Sequence, residues 1–220
     1  MIMIISEENQ FLYAESPSLD PDRKALISKW INNLDRKPAK SLDVGCGSGS
    51  LSLLLDQNVE KWGLDFQRNS SLPNDFHFIA GDVSDEWQIP KEAFDIVFAG
   101  EIIEHLLDTD KFLRQCFAAL NPSGVLILTT PNLSSFANLR YWLRTENYMW
   151  VDSGINQFGH VRYLAPKRLK LALINSGFTQ IELQTVSGLE TLGFFPPLLK
   201  FARNLFPLRG NRLCTIAFKL

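Results

Sequence analysis

Cysteine is scarce in these 220 residues: Cys46, Cys116 and Cys214 stand far apart, without a CxxC pair. That excludes a disulfide framework and a zinc cluster, and it fits a reducing, cytoplasmic setting. No run reaches the roughly 18–20 apolar residues of a membrane span. The apolar start, Met1 to Ile5, meets Ser6-Glu7-Glu8 before reaching the roughly 7–15 residues of a secretory core, so no leader is expected. Excess charge of one sign is also missing. With 22 Lys+Arg against 24 Asp+Glu, a histone-like nucleic-acid binder is excluded, and no nucleic-acid partner is expected. Hydrophobic residues make up 45% and aromatics 11%, which excludes disorder. No repeat, low-complexity tract or Gly/Ser linker divides the chain, so residues 1–220 read as one soluble domain. A domain of this size buries roughly 70% of its unfolded surface and needs no staple.

The charge is nevertheless unevenly spread. Residues 1–133 hold 11 basic and 20 acidic side chains, whereas residues 134–220 hold 11 basic and 4 acidic. The basic third is either an ordinary solvated face or a region that handles something anionic. Pro21 to Leu34 predicts a helix with Asp20 as N-cap, and Ser41 to Val44 a short strand. Helical spacing is expected to resume at Ser50 to Leu55. Lys61 to Asp65, Phe76 to Ala80, Phe94 to Ala99 and Val125 to Thr130 have strand length. Asp110 to Leu120, Ser134 to Leu143 and Pro166 to Ser176 predict helices, with Gly177 stopping the last. Gln180 to Val186 and Leu213 to Leu220 close the chain as strands. Strands alternating with helices indicate an α/β fold with a parallel sheet covered on both faces.

Most of the chemistry lies in Asp43-x-Gly45-x-Gly47-x-Gly49, between a strand and a helix. Glycines there let backbone N–H groups approach a ligand at a helix N-terminus. Asp65 ends the second strand, 20 residues after Gly45, where a carboxylate accepts ribose hydroxyls. Gly81-Asp82 follows the third strand, where a carboxylate can accept from an adenine amino group. A dinucleotide fingerprint wants its third glycine at position 50, which is Ser, and Asp43 in front of the turn would repel a diphosphate. A ligand carrying an ammonium and a sulfonium suits that acid, so S-adenosylmethionine is favoured over NAD(P). An NAD(P)-dependent oxidoreductase remains the first rival, and a catalytically silent cofactor-binding module the second.

Leu42-Asp43-Val44-Gly45-Cys46-Gly47-Ser48-Gly49, Gly63-Leu64-Asp65, Gly81-Asp82-Val83, Phe94-Asp95-Ile96-Val97 with Glu101-Ile102-Ile103-Glu104-His105, and Leu120-Asn121-Pro122-Ser123-Gly124 with Thr130-Pro131-Asn132 follow in order. Together they resemble the class I S-adenosylmethionine-dependent methyltransferases, in the branch of the ubiquinone-biosynthesis O-methyltransferases, over about residues 20–185. Gly159-His160-Val161-Arg162-Tyr163 also resembles this branch. The resemblance implies a Rossmann-like three-layer sandwich around a seven-stranded, mostly parallel sheet with an antiparallel last strand. It implies a methionine subsite around Asp43, Gly45, Cys46, Gly47 and Gly49, with Asp65 and Phe66 at the ribose side. It further implies Asp82 and Val83 at the adenine, and Gly100 and Glu101 near the methyl group. The Asn/Asp-Pro-Pro-aromatic signature of base-amino methyltransferases is missing after the fourth strand, which argues against that activity.

Methyl transfer to oxygen wants a general base, and histidine is the natural choice. Of the three, His77 opens a strand and reads as structural. His105, at the exit of the fourth strand, is either a base or an orienting residue, and His160 either a base or a loop-packing residue. The resemblance also implies a magnesium ion on Glu101, Glu104 and His105 as an alternative, as proposed for some ubiquinone-type relatives, but two carboxylates and an imidazole at short spacing are too little to assign a metal, and none is expected. The expected reaction is O-methylation of a small-molecule or lipid-linked acceptor. Residues 134–160 and 189–209 are expected on the acceptor side and residues 1–20 as a lid. The apolar and basic 189–209 also suits peripheral membrane contact, with ordinary core packing as its competitor.

Overall fold

In the computed structural model the described residues are 19–147, 159–186 and 207–220. Helix α1 (Pro21–Asn32) starts as the sequence dictates: Asp20 accepts from the Arg23 amide at 2.9 Å, and Pro21 occupies the first turn. Strands β1 (Lys40–Val44), β2 (Glu60–Asp65), β3 (His77–Ala80) and β4 (Phe94–Gly100) follow. Helix α2 (Thr109–Ala119), capped by Asp108, leads into β5 (Leu120–Pro131) and helix α3 (Phe136–Thr145). Helix α4 (Pro166–Asn175), β6 (Thr179–Val186) and β7 (Arg212–Phe218) complete the set.

The seven strands form one sheet in the order β3-β2-β1-β4-β5-β7-β6. Neighbours from β3 to β5 are parallel, and β7 runs antiparallel to both β5 and β6. The direction of winding reverses between β1 and β4, which opens a crevice at the carboxyl ends of the strands. Because β7 is inverted, its first residue, Arg212, lies on that same rim, opposite Pro131 of β5 and Val186 of β6.

Both sheet faces are covered, so the middles of the central strands are buried and mostly apolar. Ile96, Phe98, Val125 and Ile127 pack with Ile27 and Trp30 of α1 on one face. Val97, Ala99, Leu126 and Leu128 pack with Phe112, Leu113, Leu169 and Leu173 of α2 and α4 on the other. Period-two alternation of strand side chains makes these two cores from one set of strands.

Two expectations change. The segment 50–55 forms only a short 3-10 turn, Ser52–Leu54, rather than an α-helix. Asp56 follows at once, and β2 begins at Glu60, which leaves no room for further turns. Strand β5 starts at Leu120 instead of Val125, because Leu120 pairs with Phe94 and Ser123 donates to the Lys219 carbonyl. The buried Lys219 ammonium closes this corner on the carbonyls of Phe117 and Leu120 and on Glu92.

Candidate functional site

The loop after β1 is a folded cradle. Gly45, Gly47 and Gly49 all have positive φ (69°, 47° and 76°). A Cβ on Gly45 would meet Ile102 at 2.9 Å, and one on Gly49 would meet Leu72 and Phe76 at 2.9 Å. Only glycine suits both the backbone and the space there. The Gly45 amide donates to Leu64 O at 2.8 Å, which ties the loop to β2, while Gly49 closes a turn onto Cys46 O at 2.7 Å. Cys46 is buried with its sulfur against Gly63, and burial raises its thiol, so it fills space below the loop.

Three acids gather on this rim. Asp43 is 2% exposed, and its carboxylate faces the Ser52 amide at 3.4 Å. Burial pushes its pKa up to about 7, Ser52 opposes that shift, and Asp65 adds to it. Asp65 reaches into the loop: one oxygen accepts from Gly47 N at 2.8 Å and the other from Phe66 N at 2.7 Å. Burial raises its pKa too, against the pull of those amides. Phe66 is exposed beside it. Asp82 is exposed just past β3, where one of its oxygens accepts from the Ser84 amide and hydroxyl. Val83 is buried behind it and accepts from the Trp87 indole. A buried acid near neutral pKa suits a cation, and the open carboxylates beyond suit hydroxyl and amino donors. This donor set fits S-adenosylmethionine better than a diphosphate.

The exit of β4 is built differently. Gly100 is close-packed, since a Cβ there would lie 2.5 Å from Leu51. Glu101 follows with a left-handed φ of 54°, and its amide donates to Thr129 O. Its carboxylate is held between two guanidiniums, Arg212 at 2.7 Å and Arg23 of α1 at 3.2 Å. Arg23 is itself buried and also meets Asp20 at 3.3 Å. Glu101 is thus part of an ion-pair network that joins α1, β4 and β7.

A 3-10 turn, Ile103–His105, comes next and carries Glu104 into the interior at 2% exposure. The Thr130 hydroxyl donates to Glu104 Oε2 at 2.9 Å, and Oε1 is buried without a hydrogen-bond partner. Burial first, then Glu101, raises the Glu104 pKa well above the usual carboxylate range. The Glu104 carbonyl accepts both the Val161 and Arg162 amides, at 2.9 and 3.0 Å. Arg162 also donates through its side chain to Leu107 O. His105 Nδ1 lies 3.3 Å from Gly159 O, and its ring meets His160 edge to face at a centroid distance of 4.8 Å. Burial lowers the pKa of His105. Burial, His105 and Arg212 lower that of His160 to about 4, so both imidazoles are neutral at pH 7.

The structure therefore brings Asp43, Gly45, Cys46, Gly47, Gly49, Asp65, Phe66, Asp82, Val83 and Gly100 to one rim, with His105 and His160 at the β4 side of it. His77 lies at the opposite end of the sheet, stacked on Trp62. Glu101, Glu104 and His105 are not gathered as one ligand set, because Glu101 faces the two arginines. Sequence reasoning missed the roles of Arg23 and Arg212, for which no local signal exists, and read Glu104 only as one of a short-spaced set with Glu101 and His105. Most of residues 1–20 and 189–209, and residues 148–158 of the acceptor-side segment, lie outside the described residues. Among the described residues, no helix is long and apolar enough to cross a membrane.

Comparison with known proteins agrees with this geometry. A family model described as a methyltransferase domain matches residues 19–183. A ubiquinone biosynthesis O-methyltransferase of Bradyrhizobium diazoefficiens is 28% identical over 149 residues, covering 61% of this chain and 56% of that protein. A probable S-adenosylmethionine-dependent methyltransferase of Mycolicibacterium smegmatis is 30% identical over 159 residues, covering 70% of this chain and 54% of that protein. The chain thus spans little more than half the length of these curated relatives. In fold it is similar to a SAM-dependent methyltransferase from Archaeoglobus fulgidus, with a TM-score of 0.65 and 20% identity across 96% of this chain and 99% of that one. Phosphoethanolamine N-methyltransferase 2 of Haemonchus contortus, solved with S-adenosyl-L-methionine, superposes with a TM-score of 0.64 and 16% identity over 99% of this chain and 58% of that one. With the family model covering most of the sequence and the sheet order, glycine cradle and rim acids in place, the chain belongs to the class I S-adenosylmethionine-dependent methyltransferases.

Proposed function

We propose that this protein methylates an oxygen of a small-molecule or lipid-linked acceptor. The observation that carries the reading is Asp43, a buried acid at about pKa 7 directly under a glycine cradle into which Asp65 reaches. S-adenosylmethionine, when bound, supplies a methyl group on a cationic sulfur. The chain's own work is to bind, to orient and to accept a proton. Asp43 and the amides of the cradle would hold the charged amino-acid half, and Asp65 and Asp82 the nucleoside half. Holding both partners in line accounts for most of the acceleration such a displacement needs. An acceptor hydroxyl also has to lose its proton, and neutral His160 on the strap at Gly159–Leu164 is the base that takes it. His105 orients that strap through Gly159. On α3, Trp142 and Leu143 are exposed with Arg140 and Arg144 alongside, which suits an apolar acceptor.

The test is transfer of labelled methyl from S-adenosylmethionine to a cellular metabolite extract, with cofactor binding followed in parallel by calorimetry. A labelled product is expected, either a methyl ether that survives alkali or a methyl ester that alkali cleaves to labelled methanol. Tight cofactor binding with no transfer to any fraction would overturn the reading in favour of a silent binding module.

A further inference from the structure

The mechanism above leaves unused a buried amide at the end of β5. Asn132 follows Pro131, the last residue of that strand, and is 0% exposed. Its Nδ2 donates to Leu208 O at 3.1 Å and to Gly210 O at 2.7 Å, while its Oδ1 accepts the Ser134 amide and hydroxyl, both at 3.0 Å. Those four contacts use both donors and both lone pairs of the side chain. Aspartate in its place would lose both donors, and glutamine is one methylene too long. The backbone around Asn132 adds a third piece of chain. Asn132 N donates to Asn211 O at 2.9 Å, Leu133 N to Leu164 O at 3.0 Å and Phe136 N to Arg209 O at 3.1 Å. Asn132 also forms a β-bridge with Leu164, and the Arg209 side chain returns to Ser134 O at 2.8 Å. The start of α3, the strap at Gly159–Leu164 and the turn at 207–211 that leads into β7 thus meet at one residue. Thr185 grips that turn from β6: its hydroxyl donates to Pro207 O at 2.7 Å and accepts from Gly210 N at 3.1 Å. None of these bonds involves the glycine cradle or Asp43, Asp65 and Asp82.

We propose that Asn132 is a positioning residue for the methyl acceptor: it locks α3, the strap and the returning turn into one unit and sets the place of that unit on the cofactor rim. The proposal rests on the reading above that these segments serve the acceptor. Because the amide is buried and fully satisfied, the junction holds or opens as a whole, since losing one partner strands the others away from water. The acceptor side is thereby fixed as a body, through contacts separate from those that shape the donor side.

Three amides report on the junction: Asn132 N and Phe136 N cross to the turn, and Leu133 N crosses to the strap. By NMR hydrogen exchange of the wild-type protein they should open with one common free energy. Asn132→Ala should speed all three by a shared factor of at least about 10-fold, and leave Gly45 N and Gly49 N in the cradle at wild-type rates. Counted per S-adenosylhomocysteine binding site, transfer of labelled methyl to limiting metabolite extract should fall by about 100-fold, the cost of a misplacement of about 1 Å. The half-saturating extract concentration should rise while S-adenosylhomocysteine affinity stays the same. A role in stability alone would lower the number of binding sites and leave both the rate per site and the half-saturating extract unchanged, and that result would overturn the proposal. So would an acceleration that reaches Gly45 and Gly49 equally, or one confined to Asn132 N. Should Asn132→Ala not fold, the wild-type exchange decides: three amides that open with unlike free energies sink the idea. Exchange needs no acceptor, so its failure is distinct from failure of the methyl-transfer reading.

Discussion

Replacing Asp43 by Asn should make the cofactor-free protein more stable at pH 8 and bind its cofactor less well. The carboxyl is 2% exposed and titrates near 7 when folded, against 3.8 for the free group. A raised acid pKa means that stability is full below 3.8 and is lost as pH climbs to 7, because the unfolded chain ionises first. The wild type should lose about 1.4 kcal/mol per pH unit relative to the variant across that window, reaching about 4 kcal/mol above pH 7. Asn keeps an oxygen to accept from Ser52 N and is nearly isosteric, so little else changes. For a domain of this size, 4 kcal/mol corresponds to roughly 8–16 °C in melting temperature. Urea melts of both proteins at pH 4, 5.5 and 8, after exhaustive removal of cofactor, give the comparison. An offset that is equal at all three values, or a variant less stable at pH 8, would refute the account. In wild type, S-adenosylmethionine affinity should also rise between pH 6 and 8, as a cationic ligand draws the proton off Asp43, and the Asn variant should lose that slope.

Asp65→Ala should weaken cofactor binding by about 1.5–3 kcal/mol in calorimetry, through loss of charged hydrogen bonds, and unchanged affinity would remove Asp65 from the site. Gly49→Ala should cost about 1–3 kcal/mol in a denaturant melt, because a Cβ would sit 2.9 Å from Leu72 and Phe76 at a φ of +76°. A wild-type midpoint would show that the cradle yields. His160→Ala should lower turnover by about 100-fold or more while leaving S-adenosylhomocysteine affinity intact, and equal turnover would make His160 a packing residue.

Much of this molecule was legible because local rules and tertiary structure agree. Asp20-Pro21 opens α1, Asp43 to Gly49 turns off β1, and the apolar runs at Phe94 and Val125 become buried central strands. The failures occur where distant partners decide. The strand at Lys61 to Asp65 was read, but nothing near Ser50 announces that the segment ahead of it forms only one 3-10 turn. The early start of β5 depends on Lys219, about 95 residues downstream. The Glu101 clamp joins Arg23, Glu101 and Arg212, which no periodicity could bring together. Glu104 was read only as a neighbour of Glu101 and His105; its burial and its oxygen without a hydrogen bond are properties of the packed chain.

The inverted β7 divides labour across the sheet. Groups assigned to the cofactor come from the parallel half, from β1 to the end of β4. Val186 of β6 and Arg212 of β7 face each other on that rim, so whatever joins them in sequence leaves from and returns to the same edge. Such a connection can lengthen, shorten or change its side chains while Asp43, Asp65 and the glycines stay where they are. A chain built this way can keep one methyl donor and exchange its clientele.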